Sequence, residues 1–172
     1  MHVDAADYAQ AMNFGWVEQG LLAGCRGPQS NQDLGFLASQ GIRVLVRLAY
    51  ARETGMTAQR VQEHGMVDVS DPVQDCTALS QPQIDRLVKA VRTAVARRQP
   101  VAVSCLMGHG RTGTLLACCL AAQGLPADEA IKRLIAIRPG SMEILRVTEQ
   151  RDAVREYARR LAAGEVVVRA AT

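Results

Sequence analysis

The sequence predicts an α/β fold: a central, parallel-rich twisted sheet flanked by helices. Three observations carry that expectation. Residues 42–48 and 101–104 are short, near-continuous apolar runs rich in β-branched residues, the pattern of strands covered on both faces. Between them, Ile84, Leu87, Val88, Val91 and Val95 repeat at helical spacing. After Val101 the chain runs strand, glycine-rich loop and apolar helix, and further helical stretches follow.

Residues 1–12 are polar and alanine-rich, a short helix or an arm. Residues 14–17 and 21–24 can form an edge hairpin around Glu18, Gln19 and Gly20, with Trp16 as a core or rim anchor. Gly27-Pro28 is a turn, and residues 31–39 read as a helix closed by Gln40-Gly41. Residues 42–48 are the first central strand and 49–55 a loop. Thr57 caps a helix that reaches His64 and stops at Gly65. Residues 66–69 are a second strand, and 71–79 a loop. Ser80 and Gln83 form a capping box at the head of the amphipathic helix that Arg97, Arg98, Gln99 and Pro100 end. Residues 112–123 are apolar on nearly every side, a buried central helix with Cys118 and Cys119 in the core. Pro126 opens the next helix, through Ile137. Val147, Val154, Ala158 and Leu161 stripe the last one, with Arg151, Arg155 and Arg159 on a solvated face. Residues 164–172 read as a loose tail.

A length of 172 residues and 48% hydrophobic residues bound the chain to one globular domain. A net charge of +3 and a pI of about 8.7 suit anionic substrates without arguing for nucleic acid. One Trp, three Tyr and two Phe leave no evident base-stacking surface. Five cysteines, an odd number without CxxC spacing, read as reduced thiols and not as a metal site. No apolar leader and no run of about 18 apolar residues occurs. The expectation is a cytoplasmic protein without stable membrane association, metal or organic cofactor.

The chemistry concentrates in residues 101–114, VAVSCLMGHGRTGT. A loop between a strand and a helix N-terminus gathers backbone N–H groups at one anion-sized point. Five residues separate Cys105 from Arg111, so the amides of Leu106, Met107, Gly108, His109, Gly110 and Arg111 can curl around a phosphoryl group. Gly108, Gly110 and Gly113 allow the tight path. Such surroundings favour a thiolate. Together they suggest covalent phosphoryl transfer through a cysteinyl-phosphate. Cys105 attacks phosphorus, Arg111 grips two equatorial oxygens, and the Thr112 hydroxyl helps the sulfur leave. Three other readings fit parts of the pattern. A structural cysteine leaves the arginine and glycines unexplained. A dinucleotide fingerprint over Gly108–Gly113 needs a strand ending in an acid about 20 residues on, where Pro126, Asp128 and Glu129 start a helix instead. A phosphate-binding loop without turnover is the third.

The run from Cys105 to Gly113 resembles the C-x5-R-[ST] signature of the cysteine-dependent protein tyrosine phosphatases, and more narrowly that of the small atypical dual-specificity phosphatases. Asn13-Phe14-Gly15-Trp16, Leu22-Ala23-Gly24, the strand from Gly41, and Arg138-Pro139-Gly140-Ser141-Met142-Glu143 are similar to one single-domain subgroup, in the right order. The resemblance implies a general acid some 30 residues before the cysteine: Asp75, with Asp71 and Asp68 as alternatives. It implies a phosphorylated protein as substrate, tyrosine phosphate and possibly serine or threonine phosphate, with a phosphoinositide or other small phosphate as the alternative. The pattern departs from the family at Ser104, where a histidine is usual, which implies slower turnover. His109 occupies a loop position usually small or apolar and either faces solvent or touches phosphate, solvent being preferred. A glutamine that helps to position water in relatives has its counterpart only loosely in Gln150. Cys76, beside Asp75, is a candidate disulfide partner for Cys105 under oxidation.

Overall fold

Residues 4–168 are described by the computed structural model. The strands are β1 (Gly15–Glu18), β2 (Leu22–Arg26), β3 (Val44–Arg47), β4 (Val67–Ser70) and β5 (Val101–Cys105), in the spatial order β1-β2-β5-β3-β4. β1 and β2 form an antiparallel hairpin; β2, β5, β3 and β4 run parallel. The parallel strands end on one edge of the sheet, and the loop after β5 leaves from its middle.

The helices are α1 (Ala5–Ala11), α2 (Asn31–Ser39), α3 (Ala51–Thr54), α4 (Ala58–Glu63), α5 (Gln81–Ala96), α6 (Gly110–Ala121), α7 (Ala127–Ile137) and α8 (Thr148–Ala162), with a 3₁₀ segment at Pro139–Leu145. Strand alternation sorts them into two layers. Val44, Val46, Val101 and Val103 pack with apolar residues of α5, α6, α7 and α8. Leu45, Ala102 and Cys25 face the other way, toward Leu34, Leu37, Met56 and Val61, where Tyr8, Phe14, Trp16 and Phe36 also pack. All twelve residues of α6 are buried. Covered on both faces, the sheet takes the unbroken apolar strands that the sequence contains.

Two local readings are corrected. Residues 49–55 are not all loop, because 51–54 form α3. Glu53 turns back to accept the Tyr50 N–H at 2.7 Å, which caps the turn, and Gly55 at φ 68° ends it. The expected hairpin stands at the sheet edge, with β1 outermost and β2 buried between β1 and β5. The stretch after Arg138 is a 3₁₀ segment that packs against α6. In the expected tail, Val166 and Val168 pack against the core, and 169–172 lie outside the described residues, as do 1–3.

The Ser80 hydroxyl accepts from Gln83 N–H at 3.4 Å, and Gln83 Oε1 accepts from Ser80 N–H at 3.1 Å. These bonds hold the start of the helix that follows the 71–79 loop. Ser80→Ala is expected to lower stability by about 1 kcal/mol, read as a shift of the urea midpoint at unchanged slope.

Candidate active site

Cys105 is the last residue of β5, 3% exposed, and its Sγ accepts from the Gly108 N–H at 3.2 Å. The loop from Leu106 to His109 then turns into α6, whose N-terminal amides and dipole end at the same point. Gly108 has φ 76°, and a Cβ there would overlap the Cys25 carbonyl, so both conformation and space require glycine. A Cβ at Gly110 would meet the Glu143 carboxylate and the Gln150 amide.

Arg111, in the first turn of α6, is 2% exposed. Its Nη1 donates to Glu53 Oε2 (3.2 Å), Val73 O (2.8 Å) and Leu48 O (3.4 Å), and its Nη2 donates to Glu53 Oε1 at 3.0 Å. Glu53 therefore covers the end of the guanidinium between its two Nη atoms. On the adjacent edge, Nη2 lies 3.0 Å from Asp75 Oδ1, and Nε has no partner among the described residues. One edge of the fork is anchored, and the Nε–Nη2 edge is left for a second anion. Burial is the largest single effect and works against the Arg111 charge, but the hydrogen bonds to Glu53, joined by the nearby Cys105, Glu53 and Asp75, together outweigh it and raise the pKa. The same hydrogen bonds hold the Glu53 carboxyl below its ordinary 4.5, against a smaller opposing effect of burial.

The three candidate acids separate cleanly. Asp68 is taken by Arg47, at 2.6 and 2.9 Å. Asp71 accepts from Gln83 Nε2 at 2.8 Å and from Arg86 Nη2 at 2.9 Å. Asp75 faces Arg111 across a small cleft of about 80 Å³ that Cys76, Cys105, Met107, His109, Gly110 and Glu143 also line. Cys105, Arg111, Asp75 and the loop are thus together. Thr112 is near in sequence, and its buried Oγ1 has no hydrogen-bond partner among the described residues. His109 is half-exposed on the cleft wall, with Nδ1 3.9 Å from Glu143 Oε2, so it neither points wholly to solvent nor lies among the loop amides. The Ser104 hydroxyl donates to Val46 O at 3.0 Å on the neighbouring strand.

Sequence reasoning missed Glu53, which stands in the unrecognised α3. Gln150 is fully buried, packs on Gly110 and donates to Thr77 O at 3.2 Å, joining α8 to the Asp75 loop. Burial pushes the Cys25 and Cys119 thiols up to about 12, and Cys118 in the same direction, so these three stay protonated core residues. Cys76 is exposed, and all five cysteines are free. Among the described residues no group of three potential ligands could hold a metal, and no helix is long and apolar enough to cross a membrane.

The family described as Tc-R-P, a DSP-PTPase phosphatase of polymorphic toxin systems, matches residues 23–125, more than half of the chain. Among solved structures, Tk-PTP in its active form is similar at 25% identity, over 86% of this chain and 97% of its own, with a TM-score of 0.78. PTPMT1 in complex with PI(5)P shares the fold at 16% identity, over 89% and 99%, with a TM-score of 0.78. So does kinase associated phosphatase with its catalytic-site cysteine replaced by serine, at 18%, over 87% and 94%, with a TM-score of 0.74.

A carboxyl with a lowered pKa stabilises the fold above its ordinary value and loses that contribution as pH falls through the lowered one. Wild type is therefore expected to be more stable than Glu53→Gln at pH 7. The two should converge as pH drops below 4.5, in urea titrations run from pH 7 to pH 3.

Proposed function

Because the chain belongs to the Tc-R-P family of DSP-PTPase phosphatases, we propose that it hydrolyses phosphomonoesters through a cysteinyl-phosphate formed on Cys105, and that it works as one phosphatase domain. The observation that carries the mechanism is the Nε–Nη2 edge of a buried arginine, held only by Asp75 at Nη2 and free at Nε, beside a thiol on which the Gly108 N–H converges. A phosphate dianion takes the place of Asp75 on that edge and lies over Sγ. The Cys105 thiolate attacks phosphorus in line, forming the S–P bond as the ester P–O bond breaks. Arg111 and the amides from Leu106 to Arg111 hold the equatorial oxygens. Displaced from Arg111 but still at the cleft mouth, the Asp75 carboxylate takes up a proton from solvent and passes it to the leaving oxygen. In the second step the Asp75 carboxylate takes a proton from water, the water oxygen bonds to phosphorus, and the P–S bond breaks. Thr112, whose hydroxyl has no other partner, donates to the departing sulfur. No step requires a metal or organic cofactor.

We assign a phosphoprotein as the substrate, tyrosine phosphate first. Asp75 and Glu143 stand on the cleft, and no lysine lines it. A headgroup with several phosphates would meet those acids. The alternative, a phosphoinositide or other small phosphate, draws on the shared fold of PTPMT1 with its bound PI(5)P. Reduced thiols at all five cysteines support a cytoplasmic setting.

The test is hydrolysis of p-nitrophenyl phosphate in chelator. Cys105→Ser is expected to abolish it, and Asp75→Asn to lower kcat by roughly 10²–10⁴ with loss of the limb that needs a protonated acid. Asp71→Asn should stay near wild type, since that carboxylate serves Gln83 and Arg86. An active Cys105→Ser would overturn the covalent mechanism. An inactive wild type that still binds phosphate would leave a binding module.

A further inference from the structure

A loop that presents its N–H groups to an anion must dispose of its carbonyls. The peptide is planar and trans, so each inward N–H is attached to a carbonyl that points outward. No peptide in the described residues is cis. In an apolar layer, an outward carbonyl without a donor is costly.

Three successive carbonyls of this loop have donors. Leu106 O accepts from the Gly27 N–H at 3.1 Å. Met107 O accepts from Asn13 Nδ2 at 3.1 Å, and Gly108 O from the same Nδ2 at 3.3 Å. Gly108 O also accepts from Arg138 Nη1 at 2.7 Å. The last two carbonyls belong to the peptide planes that carry the Gly108 and His109 N–H groups, and the Gly108 N–H is the one on Cys105 Sγ.

Arg138 is an unusual residue for this task. It is 3% exposed, and its hydrogen bonds go to Gly108 O, Ser141 Oγ (2.9 Å) and Asn13 O (2.6 Å). Among the described residues no carboxylate pairs with it, and its Nε has no partner. Gly15 and Gly24 make room for it, since a Cβ at Gly24 would lie 2.8 Å from Arg138 Nε. A buried guanidinium without a carboxylate needs a counter-charge. Burial lowers its pKa, while the Cys25 and Cys105 sulfurs act in the opposite direction. Asn13 itself has φ 46°, a left-handed conformation that turns α1 into β1 at this point.

We propose that Arg138 and Asn13 are positioning residues for the phosphoryl site. They lock the two peptide planes flanking Gly108 so that their N–H groups face the sulfur. Arg138 also places a fixed positive charge behind the loop, opposite Arg111 at its mouth. The proposal rests on the reading of the Cys105 loop as the phosphoryl site. Neither side chain touches substrate; both act through the Met107 and Gly108 carbonyls.

The full chain is compared with Arg138→Met, Arg138→Lys and Asn13→Gly, the last keeping the positive φ while removing the donor. Two readouts need no turnover: the rate of Cys105 alkylation by iodoacetamide at pH 6, followed by peptide mass, and the Kd of inorganic phosphate. Urea midpoints report the purely structural cost. In folded Arg138→Met, both alkylation rate and phosphate affinity are expected to fall roughly tenfold or more. Arg138→Lys should recover part of the alkylation rate, because it restores charge without the fork. Asn13→Gly should weaken phosphate by several-fold. Variants that fold yet match wild type in both readouts overturn the proposal. If Arg138→Met does not fold, wild-type values in Arg138→Lys and Asn13→Gly overturn it equally. A wild type that neither binds phosphate nor alkylates at pH 6 removes the reading of the site beneath it, a result distinct from variants that match an active wild type.

Discussion

The structure turns on one covalent fact: a peptide plane cannot point both its N–H and its C=O at the same anion. A phosphate-sized ring of amides after β5 therefore imposes a second ring, of donors, around it. Gly27 at the end of β2, Asn13 between α1 and β1, and Arg138 at the end of α7 supply that outer ring. Glycine is required wherever backbone or guanidinium presses on backbone, at Gly108 and Gly24 above all. The hairpin is thus part of the site. β2 lies beside β5 in register, Cys25 opposite Ser104, and this holds its carbonyl against Gly108.

Arginines gather where the parallel strands end. Arg26 closes β2 and binds Asp33 through both Nη atoms at 3.1 Å. Arg47 closes β3 and binds Asp68. Arg111 follows β5 and binds Glu53. Each of these cations holds a carboxylate in a fork, the arrangement that makes the burial of Arg47 and Arg111 tolerable. Arg138 is the exception, and it donates to the Gly108 carbonyl of the loop at 2.7 Å. These pairings also decide the chemistry, because they consume Asp68 and leave Asp75 on the cleft.

The Ser104 substitution has a local resolution. Its hydroxyl satisfies itself on the Val46 carbonyl and makes no hydrogen bond to Cys105. Arrangement of the loop then falls to backbone contacts and to the outer donors. On the opposite wall, Gln150 ties α8 to the Asp75 loop through Thr77, so Asp75 is carried by a segment that the C-terminal helix steadies.

The sequence by itself determined the α/β layering, most element positions, and the thiol and guanidinium on one loop. These are local matters: five residues between Cys105 and Arg111, with glycines at the bends, leave few ways to close, and apolar runs between turn residues declare strands. Three other matters were left to tertiary structure. Spacing favours Asp75 as the acid and keeps Asp71 and Asp68 as alternatives; only packing shows that Arg47 binds Asp68 and that Gln83 and Arg86 bind Asp71. Glu53 reaches Arg111 across 58 residues from a four-residue helix too short to leave a periodic signal. Arg138 reaches the Asn13 carbonyl across 125 residues and the Gly108 carbonyl across 30. Which buried charge meets which partner is set by packing the two helical layers on the sheet. No local pattern of residue types encodes that distance.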